Sequence, residues 1–208
     1  MKKNLCALAL FAVTSFALAQ DAAAPDALVR SITHEVLTIL KQDKGVQAGD
    51  PGKIAAVIET KVLPHFELTR MTQLAMGRNW RTATPEQQKT LTAEFMTLLV
   101  RTYSTALATY RDQVIDVKPL RAAPDATEVT VKSDVRRSGA QPITIDYDLG
   151  KTAAGWKVFD VKVAGVSLVT TYRETFANEV RENGIDGLIK SLAIKNRQSD
   201  SKFRASKT

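Results

Sequence analysis

The sequence predicts an α+β fold: a curved four-stranded antiparallel sheet covered by helices. Three observations carry this. Apolar residues recur every three or four positions from about residue 26 to 110, then every second position from about 113 to 164, then every three or four again from about 167 to 194. The period-two segments follow one another with short turns, as an antiparallel meander does. Helices before and after such a block of strands are the α+β pattern. Finally, residues 155–173 run a strand through a glycine turn into an apolar helix, a corner able to close one end of a cavity.

The amino end is set apart from that fold. Lys2 and Lys3 precede an almost wholly apolar run from Leu5 to Leu18, and Ala17-Leu18-Ala19 offers small residues at a cleavage point. Residues 1–19 are read as a cleaved secretory signal peptide. The run is too short for a comfortable membrane span. The one cysteine, Cys6, lies inside it, so the mature chain is expected to carry no thiol or disulfide chemistry. Export without disulfides suits a bacterial periplasm. Residues 20–194 are long enough for one domain. The formal charge of +7 is concentrated outside it. Residues 195–208 hold Lys195, Arg197, Lys202, Arg204 and Lys207 against Asp200 alone and are read as a basic flexible tail. A nearly neutral exported body argues against a nucleic-acid partner.

The elements follow in order. Leu28, Val29, Ile32, Val36, Leu37 and Leu40 form the apolar face of a first helix. Lys44-Gly45 and Gly49 break it. Asp50 caps a second helix with Pro51 at its first position, and Pro64 ends it. A third helix is expected over 66–76 and a loop over 77–81. Thr84-Pro85-Glu86-Gln87 is a capping box, opening a long fourth helix whose stripe includes Leu91, Phe95, Leu99 and Tyr103 and reaches Tyr110. Strands are expected over 114–120, 127–136, 141–149 and from Trp156. Ser167 is read as the cap of the closing helix, which carries Val169, Tyr172, Phe176 and Val180 on one stripe and stops at Asn183-Gly184. A last short helix covers 185–194.

Catalytic chemistry is mostly missing. The two histidines, His34 and His65, have no partner at metal-ligand spacing, and no metal or cofactor is expected. There is no P-loop or dinucleotide fingerprint. Gly165-Val166-Ser167-Leu168-Val169 resembles a nucleophile elbow in context, but the second glycine is Val169 and no histidine follows the serine. Asp160 beside Tyr147 or Tyr103 would suit a buried acid in a cone-shaped sheet; the plainer reading is a carboxylate accepting hydrogen bonds from backbone amides near a turn. An enzyme acting on an apolar ligand and a ligand-free envelope scaffold remain as alternatives at this level.

A resemblance carries the reading further. Phe66-Glu67-Leu68-Thr69-Arg70-Met71-Thr72, Leu74-Ala75-Met76-Gly77-Arg78-Asn79-Trp80-Arg81, Thr84-Pro85-Glu86-Gln87, Leu98-Leu99-Val100-Arg101-Thr102-Tyr103, Trp156-Lys157-Val158-Phe159-Asp160-Val161 and Gly165-Val166-Ser167-Leu168-Val169 with Tyr172-Arg173 together resemble the MlaC, or toluene-tolerance, family of periplasmic phospholipid-binding proteins. The match runs in order from about Leu28 to Leu192; Met76 and Asn79 depart from the pattern in minor ways. The resemblance implies an NTF2-like or cystatin-like sheet with helices, an apolar cavity for the acyl chains of a glycerophospholipid, and no catalysis. It implies two partners: an outer-membrane lipoprotein–porin complex, and an inner-membrane ABC transporter complex with its substrate-binding subunit. Shuttling between them would maintain outer-membrane lipid asymmetry.

Given that cavity, periodicity nominates its lining. From the strands come Val117, Val131, Ile145, Tyr147, Val161 and Val163. From helices and the corner come Met71, Leu74, Leu99, Tyr103, Val166, Val169, Tyr172 and Phe176. Arg70, Arg78 and Arg173 are the expected headgroup contacts at its mouth. The cavity is expected between the meander and the long fourth helix.

Overall fold

The structure is a computed structural model that describes residues 24–108, 113–137 and 139–205. The expected signal peptide and the end of the fourth helix at Tyr110 lie outside the described residues. Helices α1 (Pro25–Gln42), α2 (Lys44–Gln47) and α3 (Pro51–Val57) lead through a π turn at Ile58–Val62 and a 3₁₀ turn at Leu63–His65 to α4 (Leu68–Met76). A second 3₁₀ segment, Gly77–Thr82, joins α4 to the long α5 (Pro85–Ala108). Strands β1 (Val114–Val117), β2 (Glu128–Arg136), β3 (Ile143–Thr152), β4 (Gly155–Val163) and β5 (Val166–Ser167) follow, and α6 (Arg173–Ala205) closes the chain after a 3₁₀ turn at Thr170–Tyr172.

Local chemistry explains the helix starts. Asp50 Oδ1 accepts from the amides of Gly52 at 2.9 Å and Lys53 at 3.3 Å, and Pro51 occupies a position whose amide would be unpaired anyway. At α5 the capping box is reciprocal: Gln87 N donates to Thr84 Oγ1 at 3.2 Å and Thr84 N donates to Gln87 Oε1 at 3.0 Å. The short α2 was not expected from Lys44-Gly45. It forms because the Asp43 carboxylate accepts from the amides of Gly45 and Val46. Residues 77–81, expected as a loop, instead wind into 3₁₀ turns after Gly77 takes φ 55° at the end of α4. Helix α6 breaks at Gly184 (φ 70°), as expected, but does not end at 194. Buried Asn196 donates from Nδ2 to the Glu94 carbonyl and carboxylate of α5, drawing residues expected as tail into the helix.

The sheet is antiparallel in chain order, β1-β2-β3-β4-β5, with five strands rather than the expected four. The fifth is only two residues long, too short for a period-two signal. Val163 pairs with Val166 and Lys162 with Ser167 across Ala164 (φ 49°) and Gly165 (φ 80°). Positive φ at both central residues is what a type I′ two-residue hairpin requires. Ser167 therefore lies in a strand, and its hydroxyl caps the 3₁₀ turn by accepting from Thr170 N at 3.0 Å.

Between β3 and β4 the register skips, with Asp148 opposite Asp160 and Leu149 opposite Val158, so that Phe159 is an extra residue. The bulge lets Val158 and Val161, three apart, both face the apolar side. That side packs Val117, Val131 and Leu149 with Val29 of α1. The opposite side carries charges in cross-strand contact: Lys118 bridges Asp116 and Asp134, and Lys162 meets Asp148 at 2.6 Å.

Two further apolar clusters sit among the helices. One joins α4, α5 and α6 through Met71, Phe95, Leu99, Phe176 and Leu188. The other joins α1, α3 and α5 through Val36, Ile54 and Val100. Phe66 packs against both the sheet cluster and the α4–α5–α6 cluster. The long helix α5 has α6, α3 and α4 as its principal neighbours, while the sheet's are α1 and α4.

Candidate functional site

The nominated lining residues fall into two groups. Val117, Val131 and Val161 are buried in the sheet cluster, with Ile145, Tyr147 and Val163 packed against it. Met71, Leu99, Val169 and Phe176 are buried in the α4–α5–α6 cluster, with Leu74, Tyr103 and Tyr172 packed against it. Val166 is 60% exposed on β5 and belongs to neither group. Phe95 edges both Tyr172 and Phe176, with ring centroids 5.1 and 5.2 Å apart. Burial pushes the Tyr103 phenol above its ordinary value, and neighbouring Tyr172 adds to that. Burial raises Tyr147 in the same way, opposed by a hydrogen bond with Ser133. Both hydroxyls stay protonated at neutral pH and present un-ionised groups in apolar surroundings.

A hollow of about 700 Å³ opens beside the second cluster, where the end of α4 and the 3₁₀ segment face the start of α6. Leu74, Met76, Trp80 and Ala177 give it an apolar surface. Met76 and Trp80 are themselves members of the α4–α5–α6 cluster. Gln73, Arg78, Asn79, Arg81 and Arg173 supply its polar groups. The hollow thus brings together Leu74, Arg78 and Arg173 of the nominated set. Arg81 was not nominated. Its signal was its spacing from Arg78: at three residues per 3₁₀ turn, positions i and i+3 lie one above the other. That signal depends on recognising 77–82 as helical.

The three nominated arginines differ in their surroundings. Arg70 is engaged: Nη2 lies 2.5 Å from Glu128 Oε1, Nη1 lies 3.8 Å from Glu67, and the guanidinium stacks 3.5 Å from the Phe159 ring centroid. Gly150 makes room for it, because a Cβ there would come within 2.5 Å of Arg70 Nη1. Arg173 donates from Nε to the Leu74 carbonyl at 3.1 Å, tying α6 to the last turn of α4. Arg78 and Arg81 are exposed and pair with no carboxylate among the described residues.

Asp160 is 5% exposed and accepts from Val161 N at 2.8 Å, from Val169 N at 3.3 Å and from Ser167 Oγ at 2.5 Å. These bonds hold the corner together, as the plainer reading expected. They also commit Ser167 Oγ as a donor. His65 is pushed below its ordinary value by burial and by Lys157, against an opposing effect of Glu35. Among the described residues no group of three or more His, Cys, Asp or Glu is placed to hold a metal ion, and no helix is long and apolar enough to cross a membrane.

Comparison with known proteins locates this architecture. The family described as "MlaC protein" matches residues 30–193. An intermembrane phospholipid transport system binding protein, MlaC, from Haemophilus influenzae is 22% identical over 188 residues, covering 89% of this chain and 87% of its own. The toluene tolerance protein ttg2D of Pseudomonas putida is 28% identical over 163 residues, covering 78% and 75%. Among solved structures, a phospholipid-binding protein from Ralstonia solanacearum, determined in complex with a phospholipid, superposes with a TM-score of 0.80 at 38% identity. That match covers 86% of this chain and 99% of the Ralstonia chain.

Proposed function

The chain belongs to the MlaC family, and on that premise we propose that it is a periplasmic carrier that hides the acyl chains of a glycerophospholipid. The observation that carries this reading is the likeness to the phospholipid-bound Ralstonia protein, at 38% identity over 86% of this chain. In this reading residues 1–19 are a cleaved leader and the rest of the matched chain is one lipid-binding domain with an NTF2-like or cystatin-like sheet. The carrier takes phospholipid between an outer-membrane lipoprotein–porin complex and an inner-membrane ABC transporter, and so maintains outer-membrane asymmetry.

The physics asks for shielding and for no chemical step. Each methylene moved from water to an apolar site gains about 0.8 kcal/mol, so two tails with about 30 methylenes would face roughly 20 kcal/mol or more if carried bare. The two apolar clusters are the surfaces that would part around the tails. Tyr147 and Ile145 on the sheet side would face Met71, Leu99 and Phe176 on the helical side, with Phe66 between them. Arg78 and Arg173 lie where a phosphate would stay in water.

Native mass spectrometry of the full chain, expressed in a Gram-negative host and purified from the periplasm, tests the proposal. A bound mass that resolves on solvent extraction into intact phospholipid is expected. A ligand-free mass with no lipid phosphorus in the extract would overturn it.

A further inference from the structure

The hollow between α4 and α6 carries charge of one sign. Arg78, Arg81 and Arg173 stand around it, its remaining polar lining is the amides of Gln73 and Asn79, and no carboxylate lines it among the described residues. Elsewhere on the described surface many cations sit against acids, as Lys53 does with Asp43, Lys61 with Glu35 and Arg136 with Asp116. Guanidinium forks match the paired oxygens of a phosphate, and a fork with no ion pair of its own has none to break on binding. Arg173 is held by its bond to the Leu74 carbonyl, which leaves its terminal nitrogens free of that bond. Arg78 and Arg81 stack one turn apart on the 3₁₀ segment. Met76 and Trp80, which line the hollow, also belong to the α4–α5–α6 cluster, so the apolar side of the hollow adjoins that core.

Resting on the carrier reading, we infer that this hollow is a phosphate subsite that selects phospholipid headgroups of net negative charge over zwitterionic ones. One phosphodiester offsets one of three positive charges. A choline or ethanolamine ammonium would bring a fourth positive charge into the same space, at separations where like charges repel with little screening. A glycerol headgroup adds no charge, and its hydroxyls can bond to the Gln73 and Asn79 amides.

The test loads the delipidated full chain from vesicles of equimolar phosphatidylglycerol and phosphatidylcholine and measures the bound ratio by mass spectrometry. The wild-type chain enriches phosphatidylglycerol about fivefold, the scale of one or two exposed charge-assisted contacts. Arg78→Gln combined with Arg81→Gln brings the ratio close to unity, through loss of bound phosphatidylglycerol. Arg121→Gln combined with Lys151→Gln, which removes equal charge from exposed positions outside the hollow, keeps the enrichment. A wild-type ratio near unity, or enrichment that survives the Arg78 and Arg81 substitutions, overturns the inference. If the wild-type chain retains neither lipid, the carrier reading has failed, and inorganic phosphate then decides the subsite alone. Shifts of the Arg78 and Arg81 Nε resonances on titration with phosphate, but not with chloride at matched ionic strength, support a site for free phosphate. Unchanged resonances overturn it.

Discussion

The corner at β5 and the hollow beside α6 both gather polar side chains, and they are built to opposite ends. At the corner where β4 turns through β5, the Asp160 carboxylate is 5% exposed and accepts from Val161 N, Val169 N and Ser167 Oγ. At the hollow between α4 and α6, Arg78 and Arg81 are exposed and have no carboxylate partner among the described residues. A buried carboxylate with three donors is committed to the fold, since losing it strands those donors. An exposed guanidinium without a partner contributes little to the fold and is available to something outside it. The polar chemistry of the corner is structural, whereas at the hollow Arg173 Nε is tied to the Leu74 carbonyl and Arg78 and Arg81 have no carboxylate partner among the described residues.

Stability measurements separate the two sites. Asp160→Ala leaves Val169 N and Ser167 Oγ without their acceptor, and about 3 kcal/mol of unfolding free energy should be lost in a urea titration. A loss within error would mean that the corner is held by something else. Next in size is the hairpin beside it. Gly165→Val places a β-branched residue at φ 80° and should cost about 2 kcal/mol although no atom lies within 4 Å of a Cβ there, because the strain is in the backbone. Ala164→Gly should act in the other direction and gain up to about 1 kcal/mol, since Ala164 already sits at φ 49°. Smallest is the hollow: Arg78→Gln with Arg81→Gln should move the same titration by less than about 0.5 kcal/mol. A large loss there would make those arginines part of the fold and remove the contrast.

Parts of this were legible in the residues and parts were not. Capping chemistry is local, so Asp50 and the Thr84–Gln87 pair located α3 and α5 directly. The meander was legible because Val129, Val131, Ile145 and Tyr147 alternate with polar residues over long enough runs. Strand β5 was not, since two residues carry no period and Ser167 is as good a cap as a strand end. The bulge at Phe159 was hidden because it depends on what β3 places opposite, a non-local fact. Helix α6 passed its expected end because Asn196 finds Glu94 about 100 positions away in the chain, a distance no window spans. At the site, Arg78 and Arg173 were nominated through resemblance. Arg81 was missed because its place one turn above Arg78 exists only once 77–82 is wound as a 3₁₀ helix, and that segment read as a loop. The neighbours of α5 were equally out of reach: its stripe announces a buried face but not which element covers it, and α6, α3 and α4 are its principal neighbours.

In the proposed carrier, acyl chains lie between the sheet cluster and the α4–α5–α6 cluster, with the headgroup at the arginine-lined hollow. Photo-crosslinking with a phospholipid that carries a diazirine near the end of one acyl chain tests it most directly. Adducts are expected on inward residues such as Met71, Leu99, Tyr147 and Phe176, mapped by peptide mass spectrometry. Adducts confined to the charged face of the sheet, at residues such as Lys132 and Asp146, or no adducts at all, would contradict it.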